Sequence, residues 1–165
     1  MDLGKIDVNE YIGFDYGDTI LIEAMSCSSK LRGSDKQIEL VQYLVDKGAD
    51  MNCSNEDGYN AFQIALEYHD LSKISLILLE SGKLEVNKPA GKHYNCPIFT
   101  AIREYGKTWR KEQFELNNLR YTIIEKLLEQ GADLEKTNKH GISAQTWVEK
   151  IPEEDKLHEL INKWK

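Results

Sequence analysis

The sequence predicts an all-α solenoid, a row of stacked helix–turn–helix units with short turn fingers. Three observations predict it. A glycine-led ending recurs four times, as Gly48-Ala-Asp-Met-Asn52, Gly131-Ala-Asp-Leu-Glu135, Gly82-Lys-Leu-Glu-Val-Asn87 and Gly4-Lys-Ile-Asp-Val-Asn9. A second segment recurs downstream of these endings, as Gly17-Asp-Thr-Ile-Leu-Ile-Glu-Ala24, Gly58-Tyr-Asn-Ala-Phe-Gln-Ile-Ala65, Cys96-Pro-Ile-Phe-Thr-Ala101 and Gly141-Ile-Ser-Ala-Gln-Thr-Trp-Val148. Apolar residues before the endings also fall at helical spacing, with Val41, Leu44 and Val45 ahead of Gly48 and Ile124, Leu127 and Leu128 ahead of Gly131.

A glycine after an amphipathic helix can adopt the left-handed conformation that satisfies the last carbonyls, and the Asp and Asn behind it can bond nearby backbone in a turn. One such ending is ordinary, whereas four of them make a repeat.

Together the two recurring segments resemble the ankyrin repeat, whose signature is T-P-L-H-x-A in a unit of about 33 residues. The resemblance extends over nearly the whole chain. It is strongest where Val41-x-x-Leu44-Val45 and Ile124-x-x-Leu127-Leu128 run into Gly-Ala-Asp, and weaker where Ser75-x-x-Leu78-Leu79 runs into Gly82. The Thr-Pro corner departs most, since Thr19-Ile20, Asn60-Ala61, Cys96-Pro97 and Ser143-Ala144 occupy it. With proline kept only at Pro97, the other first helices are expected to start on Thr, Asn or Ser capping side chains.

The expected organisation is one domain over 1–165, with repeats at about 14–52, 55–87, 91–135 and 138–165 and an extension over 1–13 that resembles the end of a preceding repeat. Inner helices are expected at about 19–26, 60–69, 97–109 and 143–150, and outer helices at about 36–47, 71–81, 113–130 and 153–164. The last helix is read as starting at Ile151-Pro-Glu-Glu, with Glu153, Glu154 and Asp155 complementing its positive end. It is read as placing Leu157, Leu160, Ile161 and Trp164 on one face.

Two stretches exceed the repeat. SCSSKLRGSDKQ, after the first inner helix, is expected to be a loop. EYGKTWRKEQFELNNLR is expected to be a lengthened helical hairpin in which Tyr105, Trp109 and Phe114 pack on the outer helices, with Trp109 alternatively left to touch a partner.

Composition narrows the function. With 41% hydrophobic and 30% charged residues, the chain is too apolar for disorder and too polar for a membrane span. No segment approaches the roughly 18 unbroken apolar residues of a transmembrane helix, and the N-terminus lacks a basic-then-apolar leader. A cytoplasmic monomer with no membrane or nucleic-acid partner is expected. Cys27, Cys53 and Cys96 are odd in number and form no CxxC, which suits free thiols. The net charge of -7 is uneven: residues 1–82 carry 6 basic and 15 acidic side chains, residues 83–165 carry 15 and 13.

Catalytic sets are poor. His93-x-x-Cys96 offers two metal ligands where a structural zinc site wants four, and no Gly-rich phosphate loop is present. No cofactor and no catalytic residue are expected. A metal-dependent protein using His93 and Cys96 is the alternative from another class.

The resemblance instead implies recognition, with turn tips and inner-helix faces presenting a concave binding surface. By position it implies contacts at Asp15, Tyr16, Asp18, Ser26 and Cys27 in the first repeat and at Glu56, Asp57, Tyr59, Glu67 and Tyr68 in the second. In the third repeat Tyr94 stands where glycine is expected; on that register the contacts are Lys92, His93, Asn95, Arg103 and Glu104, followed by Lys139, His140 and Ile142. Tyrosine among acids in the first half suits a protein partner with a basic surface. A binding module is therefore expected, either an inhibitor or immunity protein that neutralises a basic toxin or enzyme, or else a host-directed effector or an adaptor.

Overall fold

The structure is a computed structural model that describes residues 7–12 and 17–164. Strand β1 (Tyr11–Ile12) pairs antiparallel with β2 (Asp18–Thr19), and eight α-helices follow among the described residues: α1 Ile20–Glu23, α2 Asp35–Asp46, α3 Ala61–Glu67, α4 Ser72–Glu80, α5 Pro97–Tyr105, α6 Phe114–Glu129, α7 Ala144–Val148 and α8 Lys156–Asn162. The small sheet corrects the all-α expectation. Its pairing recurs as single antiparallel bridges at Ser54–Asn60, Ala90–Asn95 and Thr137–Ser143, each directly before a helix. The fingers are thus short β-hairpins, held by backbone bonds that a helix-only reading leaves out.

Local chemistry sets each helix start. Thr19 and Asn60 accept from the backbone N–H of Ile22 and Gln63, which satisfies donors that the first turn of α1 and of α3 would orphan. Cys96 makes no such bond; Pro97 at the first position of α5 instead presets the backbone angle. Ser143 departs from the expected capping role, because its hydroxyl pairs with Thr146. The last helix begins later than expected, since Asp155 accepts from Leu157 N–H and so sets the start of α8 at Lys156. Glu153 and Glu154 lie in the preceding turn, and Trp164 lies beyond the helix, 47% exposed.

Helix ends follow the glycines. Gly48, Gly82 and Gly131 all have positive φ (89°, 69° and 83°). At Gly48 and Gly131 the next residue also bonds back five positions, Ala49 to Leu44 and Ala132 to Leu127, which completes a Schellman cap.

The helices pack in two rows: α1 on α3, α3 on α5 and α5 on α7 in one, α2 on α4 and α4 on α6 in the other. Between the rows lies one core containing Leu21, Val41, Leu44, Phe62, Ile74, Leu78, Ile102, Ile124 and Leu127. Ala65 and Ala101 are buried on successive first helices, where a small side chain lets neighbours approach. Gln63 crosses from α3 to donate to Thr100 on α5 at 2.5 Å.

The two extra stretches behave differently from each other. The first turns at Gly33, so close to the Asp70 carbonyl that no side chain would fit, and Gln37 ties it down by accepting from Gly33 N–H and donating to Ala24 O. Of the three aromatics of the second, Tyr105 is buried as expected, whereas Trp109 is 78% and Phe114 67% exposed, which corrects the packing expected of those two. Thr108 is the cause. It is buried, donates to Tyr105 O, and accepts from Asn117, so the turn points Thr108 inward and Trp109 out.

Candidate protein-binding surface

Three fingers share one turn. Gly58 N–H, Tyr94 N–H and Gly141 N–H bond back to the carbonyls of Asn55, Gly91 and Asn138. Tyr94 has φ 54°, matching Gly58 (78°) and Gly141 (73°), so it occupies the glycine position despite its side chain. Equivalent tips are therefore Glu56-Asp57, Lys92-His93 and Lys139-His140. The fingers are joined in sequence by Gly91 N–H to Gly58 O (2.7 Å) and Lys139 N–H to His93 O (3.2 Å).

Beside the Asn55–Gly58 finger lies an open hollow of about 430 Å³, bounded by Ser26 and Arg32 from the first insertion, Asp57 and Tyr59 from the finger, Glu67 and Tyr68 from the end of α3, and Lys92 from the next finger. Tyr59 is held by its neighbour, because a Cβ on Gly91 would sit 2.6 Å from the Tyr59 ring. Burial, and then the Glu67 carboxylate, keep its phenol above the ordinary value and hence neutral. The Arg32 guanidinium lies 4.4 Å over the Tyr68 ring. Glu67 is paired with Arg103 at 3.5 Å. Among the described residues no ion pair involves Glu56 or Asp57, which are both exposed.

Other expected contact residues lie elsewhere. Glu104 is buried (5% exposed) and is ringed by Arg103 Nε at 2.9 Å, Lys107 Nζ at 2.6 Å and Arg120 Nη2 at 4.0 Å. Burial pulls the Arg120 guanidinium below its ordinary value while Glu104 opposes that. Asn95 is also buried and accepts from Asn138, just as Asp18 accepts from Asn55. All three side chains are engaged within the molecule, Glu104 and Asn95 buried and Asp18 half-buried. Cys27 is half-buried and Ile142 is 36% exposed. Asp15 and Tyr16 lie outside the described residues.

His93 and Cys96 serve different neighbours. The His93 ring is exposed with Nδ1 3.1 Å from His140 Nε2, whereas the Cys96 thiol is buried against Asn87 O, and that burial raises its pKa. Among the described residues no group of three or more His, Cys, Asp or Glu side chains is gathered as a metal site. No helix among them is long and apolar enough to cross a membrane.

The residues that sequence reasoning missed are the asparagines of the endings. Asn9 donates to Gly48 O and accepts from Asp50 N–H; Asn52 does the same to Lys83 O and Glu85 N–H, and Asn87 to Gly131 O and Asp133 N–H. Each asparagine thus binds the ending that follows its own. Lys88 and Lys136 add a parallel rung to the carbonyls of Asn52 and Asn87. The signal was the return of Asn at three of the four endings, read only as local turn chemistry.

A family model described as ankyrin repeats in many copies matches residues 24–80. The chain is also 28% identical over 130 residues, 76% of its own length, to a Plasmodium falciparum (isolate 3D7) protein named "Putative E3 ubiquitin-protein ligase protein". The chain spans 1% of the length of that relative.

Proposed function

We propose, from the match of residues 24–80 to the ankyrin-repeat model and the role of ankyrin repeats as protein-interaction modules, that this chain is a non-catalytic ankyrin solenoid that grips a protein with a basic surface. One domain of four repeats, at about 14–52, 55–87, 91–135 and 138–165, supplies the scaffold. The observation that supports the reading is the hollow beside Tyr59, where two tyrosines offer apolar area next to the exposed carboxylate of Asp57, with exposed Glu56 adjacent to it on the same tip. Aromatic anchors contribute affinity, while unpaired acids steer and pair with Lys or Arg. Arg32 and Lys92 at the margins discriminate against a uniformly basic patch and favour one with a cationic centre. In its sharper form the reading is an inhibitor or immunity protein that plugs a basic enzyme or toxin.

The test is affinity capture by the whole chain, identification of the captured protein by mass spectrometry, and calorimetric titration of that protein. Asp57→Lys together with Tyr59→Ala should weaken binding by more than about tenfold, while circular dichroism shows the helices intact. An unchanged affinity, or a captured protein whose contact patch is acidic, would move the contact surface away from the hollow.

A further inference from the structure

At the equivalent finger tips the charge reverses along the row: Glu56-Asp57, then Lys92-His93, then Lys139-His140. The reversal is confined to exposed positions; the backbone beneath it is the same turn each time. His93 shows the local consequence. The groups whose charge bears on it are Lys139 and His140 from the following finger, Lys92 beside it, and Arg103 from α5, all cationic or able to become so. Arg103 is shared with Glu67 and Glu104, but both lysines are exposed. Like charges clustered on solvent-facing loops repel one another, and an anionic partner relieves that repulsion.

We propose that the Gly91–Tyr94 and Asn138–Gly141 fingers form a second contact surface, opposite in charge to the hollow, that holds a carboxylate-rich segment of a protein. Lys92 and Lys139 pair with the segment, and the paired imidazoles of His93 and His140 lie on the same two tips. The exposed Tyr94 ring, 59% accessible, gives the segment a hydrophobic edge. This surface shares only Lys92 with the hollow and stands if the reading of the hollow fails.

Proton linkage supplies a distinctive readout. Desolvation, followed by the positive charge of Lys139, His140, Lys92 and Arg103, holds free His93 below its ordinary pKa, so it is neutral near neutral pH. A bound carboxylate raises that pKa. Affinity should therefore be greatest below the free pKa and decline as pH rises through the bound one.

The probe is a short fluorescein-labelled Glu-Ser repeat peptide, followed by anisotropy. Binding should strengthen about fivefold from about pH 8 to about pH 6. Lys92→Glu with Lys139→Glu should abolish it. His93→Gln should keep binding near pH 8 while flattening the pH dependence. Asp57→Lys with Tyr59→Ala, which disables the hollow, should leave peptide binding at least as strong. Equal binding by the charge-reversed variant, or no binding at all, would overturn the proposal. So would tighter binding of a labelled oligouridylate to the same lysines, because the occupant would then be a nucleic acid.

Discussion

The fingers and the helices beneath them were assigned to one surface by the same positional rule, yet they differ in what their charged groups are free to do. At the tips, Glu56, Asp57, Lys92 and Lys139 reach into solvent from turns whose shape is held by backbone bonds. One layer down, Glu67, Arg103 and Glu104 form a chain of ion pairs that ends on buried Arg120. A side chain on a hairpin tip can change without disturbing its turn. One on a first helix must also answer to the second helix packed behind it, here α6 behind α5. Freedom to vary is thereby left mostly to the tips.

Glu104 should break that comparison most sharply. Replacing it with Ala leaves Arg120, only 6% exposed, without a carboxylate partner; its remaining bond is from Nη1 to the Glu104 backbone carbonyl. Removing one member of a buried pair typically costs about 3 kcal/mol or more. Urea denaturation of Glu104→Ala should show a loss of about that size, against less than about 0.5 kcal/mol for Lys139→Ala at a tip. Equal losses at both sites would mean that the two layers are not mechanically distinct.

Much of this was legible in the sequence, for reasons that can be located. Helix positions followed from periodicity: Val41, Leu44 and Val45, or Ile124, Leu127 and Leu128, mark a buried stripe in any context. The endings were visible because few residues other than glycine accept positive φ cheaply. Glu104 was misassigned because its ring of cations comes partly from α6, sixteen residues later, inside a stretch with no family register. Of the two readings of Trp109, packed or exposed, the structure has the exposed one; apolar composition does not tell which side of a turn faces the core, and Thr108 decides that through two hydrogen bonds. The asparagines illustrate a different gap. Their partners lie 31 to 46 residues away, so spacing within one ending could not reveal them.

Those asparagines carry the second-largest expected effect. Asn87 spans two endings with one donated and one accepted bond, both 2.8 Å, to backbone groups that have few alternatives besides water. Two partly exposed bonds at about 0.5–1 kcal/mol each suggest a loss of about 1–2 kcal/mol for Asn87→Ala. Asn52→Ala should match it, since its geometry is the same. Both variants should retain binding at the tips once folded, measured by capture at low temperature. A binding defect exceeding the stability defect would show that the ladder also positions the fingers.

The smallest effect compares fingers with one another and changes sign. Tyr94 adopts φ 54°, a conformation that an L side chain enters at a cost of about 1–2 kcal/mol, while Gly141 holds the equivalent place with nothing within 4 Å of a would-be Cβ. Steric room is thus available at Gly141, and only the backbone angle penalises a side chain there. Tyr94→Gly should accordingly stabilise the chain, by about 1 kcal/mol at most because glycine also gains freedom in the unfolded state, and Gly141→Ala should destabilise it by about 1 kcal/mol. Thermal melts would read both shifts. If Tyr94→Gly lowers stability instead, the exposed ring makes contacts worth more than the strained angle; if it raises stability but weakens the acidic-peptide complex, the tyrosine is kept strained for the sake of binding.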